Sequence, residues 1–453
     1  MTEVVRGAPG RVDIGAFVDG GRIRGLHWLV AALGAAVTLI DGIDLAAMGM
    51  VVPSVSEEWG LAPEAFSGVL SAALVGVLFG SAIAGSLGDA IGRRRTLIAM
   101  VAVCAVFMVL TALAETVNEL FVYRFLTGFG AGGSIPVAIA LTAEYMPAHR
   151  RNTFVTLMYA GAPLGTTVGG FVGPTVIELY GWQGVFVAGG LATAAVAVLL
   201  VLLLPESMRF LVSRGRDAER VRRLAARLRP DVDTGEATFF IAEQTHAGSS
   251  LRELFGDRQT ALTLVIWLVF VANQFQIFYL LWLPTVLTQA GLALATALFV
   301  LAIFNLGGAL SGPALGWISD RTSAQRVLTV VYPAASVCIG ALGFAAGAPT
   351  VLPVLAFAAG AASLGASLCL GPLTASLYPT RARSTGVGWA LSVGRAGSIA
   401  APLLGGLVLA GGPRTFFLVG AIAPLVAAAG IVVLSRLTRE VPADSGDVRV
   451  SGG

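Results

Sequence analysis

Long apolar runs alternate with short polar segments along most of the chain. A helix needs about 20 predominantly apolar residues to cross the hydrocarbon core of a bilayer. Twelve runs meet this length, at 28–52, 66–88, 96–114, 118–141, 154–176, 183–204, 260–284, 295–318, 327–347, 350–372, 385–410 and 414–435. The pattern predicts an all-α membrane protein with 12 transmembrane helices.

Composition and the polar segments refine this organisation. Of the 453 residues, 56% are hydrophobic and 12% are charged, whereas a soluble domain carries about 25% charged residues. One long polar segment interrupts the runs, and its stretch "AERVRRLAARL" predicts an amphipathic surface helix. We therefore expect an N-terminal tail (1–27), a first six-helix bundle (28–205), a linker (206–259), a second six-helix bundle (260–436) and a C-terminal tail (437–453).

The arginines set the expected orientation. If both termini lie on one side of the membrane, that side receives 26 of the 29 basic residues, all of which are arginine. Loops rich in basic residues stay in the cytoplasm. No short apolar core with a cleavage site precedes the first run, so no signal peptide is expected. Both tails and the linker are predicted to be cytoplasmic, with the helices in the inner (plasma) membrane of a bacterium.

The two halves of the chain repeat each other. "LTAEYMPAHRRNT" (141–153) aligns with "LTASLYPTRARST" (373–385) at an offset of 232, and "VPSVSEEWGL" (52–61) aligns with "LPTVLTQAGL" (283–292) at an offset of 231. Matches at nearly one offset indicate a duplication. Repeats of this kind in helical transporters place the substrate site near the bilayer midplane, between the repeats.

A third repeated segment is a charged loop motif. "GSLGDAIGRRR" (85–95) aligns with "GWISDRTSAQR" (316–326), again at an offset of 231. The first copy resembles the hallmark of the major facilitator superfamily, Gly-x-Leu-x-Asp-(Arg)-x-Gly-Arg-(Arg/Lys), with Ala90 in place of the usual arginine. The resemblance implies two six-helix bundles and a cytoplasmic gate of ion pairs.

The expected gate residues come from this motif and from one further pair. Glu144 and Arg151 are spaced as in the sugar porters of the superfamily, which suggests a gate pair between neighbouring helix ends. The motif supplies Gly85, Asp89, Gly92, Arg93, Arg95, Asp320, Arg321 and Arg326.

Three shorter motifs resemble the aromatic acid:proton symporters of that superfamily. They are "DGID" in the first run, "LPESMRFLVSRGR" after the sixth and "SVGRAGS" in the eleventh. The resemblance runs across about 28–435. It implies a secondary active transporter that imports a small aromatic carboxylate of the hydroxybenzoate, benzoate or gentisate class by proton symport and alternating access.

Charged residues inside the apolar runs are the candidates for proton coupling. An ionised group at the bilayer centre costs about 2.5–3.5 kcal/mol on insertion scales. Asp41 and Asp44 share a helix face, and two such close carboxylates are expected to share one exchangeable proton. Arg124, in the fourth run, is the expected counter-charge. A purely structural ion pair remains the alternative, and either aspartate is a candidate for carrying the proton.

Arginine, amide and aromatic side chains are the candidates for substrate binding. Arg395 has the small neighbours Gly394, Ala396 and Gly397, and arginine binds carboxylates bidentately. The seventh run supplies groups suited to a hydroxylated ring, although aromatic residues also serve simple core packing. Its candidates are Asn273, Gln274, Gln276, Tyr279 and Trp282.

Other classes of chemistry find little support. The 3 Cys and 3 His are scattered and fit neither a disulfide framework nor a metal-ligand spacing. We therefore expect no enzyme active site, no cofactor, no metal and no nucleic-acid partner, and a monomer in the lipid bilayer. Two other transporter classes stay open: a carrier of another organic acid or a sugar, and a drug/proton antiporter. The antiporter reading is weakened because "GAPLGTTVGG" has Thr166 where that class has proline.

Overall fold

A computed structural model describes residues 11–215, 217–232, 237–241, 254–255, 259–345, 347–348, 350–378 and 383–439. The described chain is almost entirely helical. Its first part contains β1 (Arg11–Asp13), α1 (Ile14–Asp19), α2 (Gly25–Trp59), α3 (Ser67–Ile91), α4 (Arg93–Thr111), α5 (Val117–Tyr145), α6 (Ala148–Tyr159), α7 (Gly161–Leu203), α8 (Met208–Ser213), α9 (Ala218–Leu228) and β2 (Thr238–Phe240). Its second part contains α10 (Gln259–Tyr279), α11 (Leu283–Gln289), α12 (Leu294–Arg321), α13 (Ala324–Leu342), α14 (Val351–Leu377), α15 (Arg383–Leu409), α16 (Gly412–Gly420) and α17 (Ile422–Arg439). Short 3-10 helices lie at Pro63–Phe66 and Leu280–Trp282.

Among the described residues, 11 helical stretches are long and apolar enough to cross a membrane. Ten of them each cover one predicted run, and Ala148–Leu203 covers two, 154–176 and 183–204. Within α7 the non-helical residue is Gly181, with φ 69° and ψ −179°, a conformation that only glycine adopts readily. The nearly all-helical membrane fold is confirmed. The described residues contain 11 candidate spans rather than 12, because the two runs on either side of Gly181 lie in one helical stretch that is interrupted only at this residue.

The spans run between two ends of the molecule. The arginine-rich end holds the connections near Arg93–Arg95, Arg150–Arg151 and Arg321–Arg326. The opposite end holds connections such as Gly60–Ala62 and the turn at Gly291. We call α2–α7 the first half and α10–α17 the second half.

The buried apolar side chains form separate clusters at the two ends. At the opposite end, one cluster joins both halves and includes Val51 and Phe186 with Leu283 and Phe304. At the arginine-rich end, one cluster contains first-half and linker residues, and another contains second-half residues together with Leu254. Apolar burial therefore closes the molecule at the opposite end and leaves the halves parted at the arginine-rich end.

The segment before α2 folds against the linker. Arg11–Asp13 pairs in parallel with Thr238–Phe240, and Phe17 on α1 is fully buried. The guanidinium of Arg229 lies 5.3 Å from the ring centre of Phe17. We call β1, α1, α9 and β2 the N-terminal cap. The amphipathic helix predicted in the linker is α9, and its apolar face is buried in this cap.

Candidate functional site

A buried ion pair joins α2 to α5 inside the first half. Arg124 Nη1 donates to Asp44 Oδ1 at 2.5 Å, and Arg124 Nη2 donates to Asp44 Oδ2 at 3.1 Å. The two side chains are 1% and 6% exposed. Two parallel bonds between a guanidinium and a carboxylate are the strong form of this interaction, so Asp44 is neutralised within the protein.

Asp41 is placed differently, although it lies one helical turn away. No ion pair forms within 4 Å of its carboxylate in the described part of the chain. Asp41 lies on the face of α2 that also holds Leu45 and Met48. These residues and Leu281 of the second half line a cavity of about 30 Å³, which is room for about one or two water molecules. Asp41 therefore faces a small cavity that extends to the second half, which we call the gap between the halves.

Close backbone contact fixes this part of α2. A Cβ at Gly42 would lie 2.0 Å from the carbonyl oxygen of Ala162 on α7, and a Cβ at Gly49 would lie 2.6 Å from that of Leu281. Both glycines are therefore required for the approach of the helices. They hold the turn containing Asp41 against both halves.

Arg395 lies on the face of α15 that is turned toward the first half. Ile399, one turn later on the same face, accepts a hydrogen bond at its carbonyl from Ser71 Oγ on α3 at 2.9 Å. Arg395 makes no ion pair with any described residue, and its charge interacts with Asp41 and Tyr159. The small neighbours seen in the sequence have a packing reason, because a Cβ at Gly397 would lie 2.1 Å from the carbonyl oxygen of Val271.

The amides of Asn273 and Gln276 turn into the second half. Asn273 Nδ2 donates to Ser367 Oγ at 3.1 Å, and Asn273 Oδ1 accepts from Tyr332 at 3.1 Å and from Gln276 Nε2 at 3.2 Å. Both amides are about 1% exposed. Asn273 therefore stabilises the packing of α10 on α13 and α14, and Gln276 supports it through Nε2, while the buried Gln276 Oε1 has no partner among the described residues.

The aromatic candidates of the seventh run, Tyr279 and Trp282, are also buried in packing contacts within the second half. Tyr279 is stacked on Phe416 with ring centres 4.2 Å apart and donates its hydroxyl to the Phe416 carbonyl. Trp282 is fully buried and donates Nε1 to the Pro402 carbonyl. Gln274 differs, because it lies partly exposed beside Gly394 on α15, one residue from Arg395. Of the five predicted residues on this run, Gln274 is the one placed near Arg395.

Three predicted gate residues of the first half, Asp89, Arg93 and Glu144, form ion pairs within that half. Arg93 Nη1 lies 2.8 Å from Glu144 Oε1, and Arg93 Nη2 lies 3.6 Å from Asp89 Oδ1. Arg95 is exposed and forms no ion pair among the described side chains. Gly92 has φ 106°, and a Cβ there would lie 2.6 Å from Glu206 Oε2, whereas a Cβ at Gly85 would meet nothing within 4 Å.

The spacing-based pairing of Glu144 with Arg151 is not what the structure forms. Glu144 pairs with Arg93 instead, and Arg151 Nη2 lies 3.5 Å from Asp19 Oδ1 of the N-terminal cap. The reason is local: Arg93 and Ser207 hold the two oxygens of Glu144, while Arg151 donates Nε to the Ala143 carbonyl and reaches Asp19 instead.

The second motif copy is partly outside the described side chains. Arg321 lies over the ring of Trp317 at 3.7 Å on its own helix. Arg326 is exposed, and its backbone N–H donates to Ser323 Oγ. The side chain of Asp320 is not among those described.

Sequence reasoning missed Tyr159. The electrostatic interactions of Asp41 and Arg395 extend to its phenol. A single tyrosine near a helix end has no spacing signal, so only the fold brings it to this site.

A comparison with known protein families identifies the superfamily of this chain. A family model described as the Major Facilitator Superfamily matches residues 34–367, well over half of the chain. The chain belongs to that superfamily. Members of this superfamily are transporters and not enzymes, and a transporter fold accounts for polar groups that face a gap between two halves.

The curated relatives are similar along nearly their whole length. The chain is 36% identical to the 4-hydroxybenzoate transporter PcaK of Pseudomonas aeruginosa, over 88% of this chain and 90% of that protein. It is 36% identical to a gallate transporter of Pseudomonas putida, over 90% and 92% of the two chains. It is 30% identical to a benzoate transport protein of Acinetobacter baylyi, over 88% and 87%. The resemblance to aromatic acid transporters inferred from short motifs is confirmed.

Solved structures agree on the fold. The xylose transporter XylE of E. coli, in a partially occluded inward-open conformation, matches 92% of this chain with a TM-score of 0.67 and 18% identity. A bacterial homologue of the human lysosomal transporter Spinster, in an inward-facing conformation, matches 92% with a TM-score of 0.70 and 16% identity.

Proposed function

We propose that the protein imports a small aromatic carboxylate together with a proton. The observation that carries this proposal is the placement of Asp41 on the first half and Arg395 on the second, facing each other's half and close enough to interact electrostatically. Neither group forms an ion pair within 4 Å among the described residues. One group suits a proton and the other suits an organic anion. The transporters named for 4-hydroxybenzoate, gallate and benzoate among the relatives support the substrate class.

Asp41 is our candidate for the exchangeable proton. Asp44 is held by two hydrogen bonds from Arg124 and is nearly fully buried. Asp41 and Asp44 both line the cavity, but Asp41 has no such partner among the described residues. Protonation of Asp41 needs no ion pair to break, whereas protonation of Asp44 would leave Arg124 as a buried unpaired charge.

Arg395 is our candidate for binding the substrate carboxylate, with Gln274 beside it. Arginine offers a planar fork that matches a carboxylate. The substrate anion and a protonated Asp41 then cross together, so each cycle with one proton per monoanion is electroneutral. The drug/proton antiporter and sugar readings lack a reason for an unpaired arginine in the gap.

We place the arginine-rich end and both termini in the cytoplasm of a bacterial inner membrane. Counting the chain as reversing at Gly181 gives 12 spans, six in each bundle of residues 28–205 and 260–436. The conformation described, parted at the arginine-rich end, is then the inward-facing one. A monomer contains all the groups that the cycle needs.

The gate must close this end when the site faces outward. Arg93, Asp89 and Glu144 pair within the first half while the end is open. We propose that this cluster holds the ends of α3, α4 and α5 as one rigid unit and meets the second half only in the outward-facing state. The open space around Gly85 fits a surface that awaits a partner.

Uptake into proteoliposomes tests the proposed function. Purified protein is expected to accumulate hydroxybenzoate, benzoate, gentisate or gallate when the outside is acidic, and to lose accumulation when an uncoupler removes the gradient. Asp41→Asn is expected to abolish accumulation but to keep exchange of internal for external substrate. Failure to transport any aromatic acid, with transport of sugars or export of cations, would overturn the substrate class. Accumulation by Asp41→Asn that still follows the gradient would overturn the role of Asp41.

A further inference from the structure

Tyr159 faces the gap between the halves. It ends α6, and the residue that joins it to α7, Ala160, keeps helical angles (φ −61°, ψ −16°). Tyr159 and Gly170 are therefore on one face of a nearly continuous helix, since positions i, i+4, i+7 and i+11 align. A Cβ at Gly170 would lie 2.8 Å from the Cβ of Ala302 on α12. The face that holds Tyr159 is thus the one turned to the second half.

The end of α6 is fixed next to Asp41. Thr38 Oγ1 donates to the carbonyl of Met158, the residue before Tyr159. A Cβ at Gly161 would lie 2.3 Å from the same Thr38 Oγ1. Thr38 is one turn before Asp41 on α2, so the backbone on both sides of Tyr159 rests on the turn that presents Asp41.

Among the described residues, none forms a hydrogen bond with the Tyr159 hydroxyl. Its side chain is 43% exposed although it lies in a membrane-spanning stretch, and no described group accepts or donates a bond to its oxygen. Its phenol interacts electrostatically with both Arg395 and Asp41. The other titratable or charged groups around Asp41 are Asp44, Arg124 and Cys104.

We infer that Tyr159 is the third member of the substrate site and links the proton to the substrate. Its single O–H donates to the Asp41 carboxylate when Asp41 is ionised. When Asp41 is protonated, the carboxyl no longer needs this donor, and the O–H turns to the substrate carboxylate that Arg395 holds. Protonation of Asp41 thereby tightens substrate binding. The inference rests on the proposed function, because it assumes a carboxylate substrate at Arg395.

The consequence is a defined pH dependence of substrate binding. In the wild type, the KM for benzoate should be low at acidic pH and should rise as Asp41 loses its proton. Tyr159→Phe keeps the ring and removes the donor. Its KM at acidic pH should rise about tenfold, a change of about 1.4 kcal/mol, which matches the loss of one hydrogen bond to a charged group. Its KM should then change less with pH than that of the wild type, and the remaining dependence reports the direct interaction between Asp41 and Arg395.

The experiment is counterflow exchange at equal pH on both sides of the vesicle, between about pH 6 and pH 8, where a carboxylic acid substrate stays ionised. Tyr180→Phe is the matched control, because Tyr180 is an exposed tyrosine beside the break at Gly181, far along α7 from Tyr159. The thermal unfolding midpoint of each variant in detergent reports folding. Tyr159→Trp, which keeps a ring donor, should retain part of the pH dependence.

The outcomes separate this inference from the proposed function. If the wild type transports no aromatic acid, the proposed function fails. If the wild type transports and Tyr159→Phe keeps both its KM and its pH profile, only the role of Tyr159 fails. Failure of Tyr159→Phe to fold, with Tyr180→Phe normal, would also overturn it, because a hydroxyl needed for packing is not free for the substrate.

Discussion

Replacing Asp44 by asparagine should destabilise the protein strongly. The change removes one charge from a pair whose side chains are 1% and 6% exposed. Arg124 then keeps a full positive charge inside the first half, where its Nε already lacks a partner. Breaking a buried pair by removing one partner costs about 3–5 kcal/mol. The expected cost comes mainly from the stranded guanidinium, not from the lost attraction.

Thermal unfolding in detergent measures this effect. A cost of about 3–5 kcal/mol should lower the midpoint by about 5 °C or more, since 1 kcal/mol shifts it by roughly 2–4 °C in chains of 150–250 residues and by less in longer ones. Asp41→Asn is the matched control, because the same chemical change at a carboxylate without an ion pair should leave the midpoint nearly unchanged. The double variant Asp44→Asn with Arg124→Gln removes both charges and should be more stable than either single variant.

Two results would refute this reasoning. Equal shifts for Asp44→Asn and Asp41→Asn would mean that the pair with Arg124 is not what distinguishes the two aspartates. A double variant as unstable as the sum of the single variants would mean that the charges act independently.

Three further predictions concern other parts of the structure. Arg395→Lys should raise the KM for benzoate about tenfold and Arg395→Gln by more, because lysine keeps the charge but loses the two-bond geometry; equal initial-rate kinetics for both would contradict this. Gly42→Ala should sharply lower the yield of folded protein in size-exclusion chromatography, since its Cβ would lie 2.0 Å from the Ala162 carbonyl, whereas Gly25→Ala, with nothing within 4 Å, should behave as wild type. Phe17→Ala, which empties a buried position at a cost of about 3–5 kcal/mol, should release the N-terminal cap and speed trypsin cleavage before α2; unchanged cleavage would show that the cap is held by its other contacts.

The membrane spans could be predicted from the sequence because each must bury an uninterrupted apolar surface in lipid. The break at Gly181 is different, since a single residue with φ 69° leaves the hydropathy of the flanking segments unchanged. The N-terminal cap was missed for a related reason. Its helix α1 buries Ile14, Phe17 and Val18, and three apolar positions in a polar segment are too few for a periodic signal.

The types of residue at the candidate site could be predicted from the sequence, but the directions in which their side chains point could not. The sequence identified the charges in the membrane, yet Asp41 and Asp44 differ only in their rotation about α2, which is set by contacts at Gly42 and Gly49. Likewise, the amide of Asn273 turns toward Tyr332 because of how α10 packs on α13. These packing contacts join residues far apart in the sequence, so no local pattern encodes them.

The parallel pairing in the N-terminal cap imposes an order on biosynthesis. Arg11 pairs with Thr238, which lies 227 positions later in the chain. At a synthesis rate of roughly 5–20 residues per second, the first strand must wait about 10–45 s for its partner to leave the ribosome. All of α2–α7 is made in that interval, before any part of α10. The cap therefore forms only after the first half has been synthesised, although β1 precedes α2 in the chain.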